Sequence, residues 1–310
     1  MRRPRGAVLS QTRYASDRGL TTRMTVTMFL LGLLYIAFVA VLIALGVRAI
    51  VVLVLAGGLL LVQYLLSDRI ALFAMHGRVV SPQQAPELHG VVDRLAALAD
   101  MPKPRVAIAD SDVPNAFATG RNQKNAVVCV TTGLLRRLEP AELEGVLAHE
   151  MSHIAHRDVV VMTVASFLGI VAGLMTRFAL YTGLGRDRGG RGGLPVGLII
   201  LVVSALVYVV SFLLTRALSR YRELAADRAG ALLTQRPSAL ASALTKVSGE
   251  MARIPTRDLR EAEPFNAFYF APALAGRGGW AGLSALFSTH PPIQDRIRRL
   301  EAMAQRGYRG

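Results

Sequence analysis

Four long apolar runs dominate this chain and leave few folds open to it. Between Thr25 and Leu66 the only charged residue is Arg48, which divides one run from the next. A second pair follows: Val159–Tyr181, interrupted only by Arg177, and Leu194–Leu214. Each run is close to the roughly 20 residues a helix needs to cross a bilayer. Strands at that depth need a closed barrel, and the period-two alternation of a barrel is absent. The competing reading, a set of fully buried core helices, requires a soluble chain with unusually long apolar segments. The first run is too long for the core of a signal peptide, lacks a clear small-residue cleavage site and leads straight into the second. Two membrane hairpins are therefore expected.

An excess of Lys and Arg marks the cytoplasmic ends of membrane helices. Residues 1–24 hold six Arg and one Asp, which places the N-terminus in the cytoplasm. Four crossings then return residues 67–158 and 219–310 to that side. The loop Gly183–Gly193 runs against the rule, since it carries Arg186, Arg188 and Arg191 yet falls outside. A net charge of +15 could serve nucleic acid, but no motif that reads it is present. Attraction to anionic lipid headgroups accounts for the excess more simply. The one cysteine, Cys129, lies in the apolar run Ala126–Thr132 and allows no disulfide within the chain. This agrees with a reducing compartment, and the thiol reads as a buried strand residue rather than a nucleophile.

Outside the apolar runs the patterns change. Leu88, Val91, Val92, Leu95 and Leu98 share one helical face over Pro86–Asp100. Arg105–Asp110 and Ala126–Thr132 read as short strands, separated by Asn115-Ala116-Phe117-Ala118-Thr119-Gly120 and a polar turn. Pro140 opens the next helix, with Glu139, Glu142 and Glu144 at its positive end. Ser219–Leu233 and 237–249 read as further helices and Pro291–Gln305 as a basic closing helix; 250–288, broken by Gly and Pro, is left unassigned.

The helix that starts at Pro140 contains His149-Glu150-Met151-Ser152-His153. Histidines four apart project from one helical face, one turn apart, and can take two corners of a zinc tetrahedron. Glu150 points beside such a metal, where a carboxylate can accept a proton from a water that the ion activates. An ordinary amphipathic helix with two exposed histidines is the plain alternative. A catalytic zinc wants a third protein ligand, and Glu223 is placed to supply it, with Asp227 one turn further to accept from a coordinating imidazole. Without the histidines, a solvated charged helix would be the better reading of Ser219–Asp227. The histidines precede the third apolar run and Glu223 follows the fourth, so an even number of spans separates them, as a shared ion requires. If the helix of His153 runs on into Val159, the metal sits roughly 9 Å from the bilayer edge, at 1.5 Å per residue.

Taken together, these motifs resemble the HtpX-like and Ste24-like M48 zinc metalloproteases. The resemblance rests on the paired N-terminal spans, Asn115–Gly120, His149–His153, and Ser219-Arg220 leading to Glu223 and Asp227. Phe287-Ser288-Thr289-His290-Pro291-Pro292 followed by Arg296 completes it. It implies an integral membrane endopeptidase with a cytoplasmic gluzincin-type active site, one zinc ion per subunit and a role in quality control of membrane proteins. It also implies that His290 lies near the zinc and stabilises the oxyanion, a role physically worth about 3 kcal/mol; a structural hydrogen bond is the other reading. Asn115, Ala116, Phe117 and Ala118 would form an edge strand that pairs with an extended substrate, or else an ordinary hairpin strand. Arg296 and Arg220 either pair with carboxylates such as Asp227 or are solvated. His156, His76 and His89 are not expected to be ligands.

The expected fold is thus an α-helical membrane protein with four transmembrane helices and an α+β catalytic domain containing a small β-sheet. Its parts are a basic N-terminal segment (1–24), a transmembrane hairpin (25–66), the first part of the catalytic domain (67–158), a second hairpin (159–218) and the second part of the catalytic domain (219–310). The expected activity is zinc-dependent hydrolysis of peptide bonds in protein substrates, at the plasma membrane. A membrane scaffold or holdase with a merely structural zinc is the alternative; it predicts metal binding without turnover.

Overall fold

The structure, a computed structural model, describes residues 18–44, 49–182, 196–253 and 291–306. The four apolar runs form α1 (Arg18–Ala44), α2 (Ala49–Ala74), α6 (Asp158–Thr182) and α7 (Val196–Thr234). Among the described residues, two stretches are long and apolar enough to cross a membrane, Thr21–Ala44 and Gly197–Thr234; that of α6, Val161–Arg177, is shorter. Phe38 and Leu42 of α1 meet Leu168 and Ala172 of α6 and Val207 of α7 in one apolar cluster. Small residues let α6 and α7 approach, since a Cβ at Gly173 would lie 3.2 Å from the Tyr208 ring. The outer surface of the bundle is also apolar: Phe29, Ile36 and Leu206 are each more than 60% exposed, at 64%, 69% and 62%. A surface of this kind marks a lipid or protein contact.

Two helix boundaries differ from expectation. Ser219–Leu233 is not a separate helix but the continuation of α7, which runs unbroken for 39 residues, about 58 Å at 1.5 Å per residue. No Gly or Pro occurs between Gly197 and Gly230 to interrupt it. Conversely, the helix carrying the two histidines, α5 (Pro140–Ala155), does not run into the third apolar run. Arg157 adopts a left-handed conformation with φ 57°, and α6 begins afresh at Asp158. The turn is held because the Asp158 carboxylate is drawn to His153 and to Arg222.

A four-stranded sheet lies beside the bundle, in the order β1-β2-β4-β3. Its strands are β1 (Gly77–Val79), β2 (Arg105–Ala109), β3 (Ala116–Thr119) and β4 (Val127–Thr131). β2 and β4 run parallel, while β1 and β3 pair antiparallel at the two edges. Val106, Val128 and Val130 face a core shared with α3 (Pro86–Ala99), the short α4 (Thr132–Arg137), α5, α8 (Pro237–Arg253) and the closing helix α9 (Ile293–Gln305). Ala107, Phe117, Val127 and Cys129 face the other way, onto Ala71 near the end of α2. Covered on both faces, β4 reads as a continuous apolar run rather than an alternating one. Burial also pushes the Cys129 thiol up to about 12, despite a backbone hydrogen bond from Val130 that pulls it down.

The start of α5 is fastened by a capping box, in which the Glu139 amide donates to Glu142 Oε2 at 2.9 Å. Glu142 also accepts from Ser242 at 2.6 Å and Lys246 at 2.8 Å, tying α5 to α8. Burial acts to raise the Glu142 carboxyl, but these donors outweigh it and hold it below the ordinary range. A depressed carboxylate stabilises the fold above the unfolded-state pKa, and that contribution is lost as pH falls through the folded one. Replacing Lys246 by Met moves the folded pKa upward. Loss of helical circular dichroism on acidification is therefore expected to begin at a higher pH in Lys246→Met than in wild type; coincident curves would rule the linkage out.

Candidate metal centre

α5 presents His149 and His153 from one face, and α7 crosses it so that Glu223 comes opposite. The crossing is close: a Cβ at Gly230 would lie 2.9 Å from the His149 backbone nitrogen. His149 Nε2 and His153 Nε2 are 3.3 Å apart. Glu223 Oε2 lies 3.6 Å from the first, and its Oε1 lies 3.5 Å from the second. All three residues are buried. A tetrahedral zinc bonded at about 2.0–2.1 Å sets its donors about 3.3–3.4 Å apart, so this donor set fits the ion in spacing as well as in chemistry.

The outer nitrogens of both imidazoles are engaged by carboxylates. His149 Nδ1 lies 2.9 Å from Asp227 Oδ1, and His153 Nδ1 lies 2.6 Å from Asp158 Oδ2. Each carboxylate lies on the Nδ1 side of its imidazole, so that both Nε2 atoms face Glu223. Asp158 is in turn held by Arg222 Nε at 3.0 Å. Asp227 accepts two hydrogen bonds from Arg296, from Nε at 2.8 Å and Nη2 at 2.7 Å. Arg296, fully buried, also reaches Glu223 at 3.5 Å. Glu150 accepts from the Ala118 amide at 3.0 Å, which links α5 to the edge strand β3.

Charge balance points the same way as the spacing. Glu150, Glu223, Asp227 and Asp158 are four buried carboxylates, and Arg222 and Arg296 are two guanidiniums set against them. The carboxylates outnumber the guanidiniums, an excess of negative charge that a bound cation would offset. The same field acts on His149: burial alone would depress its pKa, but Asp227 and Glu223 raise it to about 9. Burial against opposing pull from the Arg222 guanidinium and His153 leaves Asp158 lowered to about 2. Glu150 is raised, chiefly by burial. Arg296 stays charged because Asp227 overcomes the penalty of burying it.

Of the residues singled out from sequence, His149, Glu150, His153, Glu223 and Asp227 come together here. Asn115, Ala116, Phe117 and Ala118 lie alongside, in β3 at the edge of the sheet and just before it. The side chains of Ala116 and Phe117 are buried, so this edge offers backbone rather than side chains. His290 and the loop 183–193 lie outside the described residues. Arg296 reaches the site. His89 is engaged elsewhere, with its Nε2 3.1 Å from the Val80 carbonyl. Asp158 and Arg222 were not anticipated. Their signal was available: Asp158 is the last charge before the third apolar run, and Arg222 adjoins Glu223.

Residues 82–304 match peptidase family M48. The chain is 64% identical over 290 residues to "Protease HtpX homolog 1" of Streptomyces coelicolor, covering 94% of both chains. It is 53% identical to "Protease HtpX homolog" of Moorella thermoacetica, covering 94% of this chain and 96% of that one. Among solved structures, S. mikatae Ste24p matches with a TM-score of 0.53 at 16% identity, over 92% of this chain and 67% of that one. That likeness concerns the fold.

Proposed function

Because the chain belongs to peptidase family M48 and is a metallopeptidase, we propose that His149, His153 and Glu223 hold its zinc and that Glu150 is its general base. The observation that carries this reading is the spacing of the three donors, 3.3 to 3.6 Å, assembled from two helices that meet at Gly230. Zinc at this position supplies Lewis acidity, polarising the scissile carbonyl and bringing the pKa of a water toward about 7.

The residues around it divide the remaining work. An extended substrate lies along the edge strand β3 and pairs with its backbone, which places a peptide bond beside Glu150. Glu150 takes a proton from the attacking water and delivers it to the leaving amine, so the carboxylate is regenerated as the C–N bond breaks. Burial among apolar and paired groups excludes bulk water from this carboxylate. Asp227 and Asp158 fix the two imidazoles, and Arg296 keeps Asp227 ionised. His290 serves as a hydrogen-bond donor to the oxyanion, a role that rests on the family resemblance.

We further propose that α1, α2, α6 and α7 all span the membrane, with the site on the cytoplasmic side, and that misfolded or damaged membrane proteins are the substrates. The apolar outer surface of the bundle and the Arg-rich N-terminal segment support this arrangement. A scaffold with a structural zinc has no use for Glu150 held beside the donors. The test is metal analysis of detergent-purified protein together with cleavage of an unfolded membrane-protein substrate. One zinc per chain is expected, with cleavage lost on chelation and restored by Zn2+. Cleavage by metal-free protein would overturn the assignment.

A further inference from the structure

We propose that a cavity at the cytoplasmic end of α2 binds the phosphate of an anionic lipid headgroup. The cavity is open on one side and holds about 460 Å³, within the size range of ligand clefts. Its two sides differ. Leu65 and Leu66, the last residues of the α2 apolar run, form one side and are 41% and 37% exposed. Arg69, Arg105, Arg121 and Lys124 form the other. Asp68, the carboxylate that lines the cavity, is already engaged by Arg105 at 2.7 Å. Among the described residues, Arg69, Arg121 and Lys124 have no ion-pair partner.

Three cations facing one space repel one another, and an anion placed between them relieves that repulsion. A phosphate matches the donors, since guanidinium forks bind its oxygens in pairs and Lys adds a point charge. The leucine side selects a lipid over a free anion. It continues into the exposed apolar face of α2, where Leu61 and Val62 are 55% and 51% exposed, so acyl chains can follow the helix while the headgroup enters the cavity. This inference rests on the reading of α2 as a membrane span.

The cavity is also joined to the metal centre. The turn that carries Arg121 and Lys124 connects β3 to β4. The Tyr64 hydroxyl donates to the Arg121 carbonyl at 3.2 Å, and the Gln123 side-chain Nε2 donates to the carbonyl of Ala155, the last residue of α5, at 3.2 Å. A headgroup bound here fastens that turn, and the edge strand leading into it, to the membrane surface.

The test is native mass spectrometry of the detergent-purified full chain with equal amounts of phosphatidylglycerol and phosphatidylcholine. Wild type is expected to retain phosphatidylglycerol preferentially. Each basic residue near a membrane surface contributes about five-fold in affinity for anionic lipid. The double variant Arg69→Gln/Lys124→Gln is therefore expected to bind phosphatidylglycerol about thirty-fold more weakly, with phosphatidylcholine unchanged and circular dichroism as in wild type. Equal retention of both lipids by wild type, or undiminished preference in the double variant, would overturn the site. Displacement of phosphatidylglycerol by excess inorganic phosphate would show a free-anion site and overturn the lipid assignment. Reconstitution into nanodiscs of phosphatidylcholine alone separates the two readings: protein that inserts but ignores phosphatidylglycerol sinks only the headgroup site, whereas protein that stays in solution without detergent sinks the span.

Discussion

Replacing Glu150 by Gln is expected to leave the metal content unchanged and to lower kcat by about 10²- to 10⁴-fold, the usual worth of a positioned general base. The substitution preserves shape. The new amide oxygen still accepts from the Ala118 amide, which now lies 3.0 Å from the Glu150 carboxylate, so β3 and α5 keep their relation. What is lost is a basic oxygen able to take a proton. Zinc content and thermal stability measured beside turnover separate this outcome from a folding defect. Undiminished cleavage, in a preparation free of other proteases, would refute the role.

Arg296→Met is expected to destabilise the fold by about 3–5 kcal/mol, the cost of leaving a buried charge without its partner. Arg296 is fully buried and holds Asp227 through two hydrogen bonds of 2.8 and 2.7 Å. Without it Asp227 is left with the His149 imidazole beside it, in surroundings that disfavour an ion. Met fills much of the vacated volume, so the loss reflects electrostatics more than a cavity. Arg296→Lys keeps the charge but not the paired geometry, and should fall between the two. Thermal unfolding in detergent with saturating zinc measures the effect. A midpoint for Arg296→Met equal to wild type would show that the pair contributes nothing.

The legible parts of this protein were those governed by local spacing. Two histidines one helical turn apart, a carboxylate beside them, and runs near the length of a bilayer span are patterns that neighbouring residues determine. The pairing of the third and fourth apolar runs, α6 and α7, was enough to bring Glu223 back toward the histidines. What escaped was the geometry of the join between α5 and α6. A left-handed residue at Arg157 is not visible in a sequence that reads as helix on both sides, and so the partner of His153 was missed. The strand β1 was missed as well. At three residues it is too short to show alternation, and it exists because β2 offers it an edge. α7 was divided in two on composition, where apolar gives way to charged, although nothing in its backbone stops there.

The unbroken course of α7 has a mechanical consequence. Two of the three proposed metal donors ride on α5 and the third on a single helix of 39 residues, so the candidate coordination sphere is assembled across two helices. A rigid strut does not absorb tilt; it hands displacement at one end to the other. With α7 spanning as proposed, lipid that thins or thickens around its apolar end makes the strut lean or slide to stay matched, and the carboxylate at position 223 travels with it.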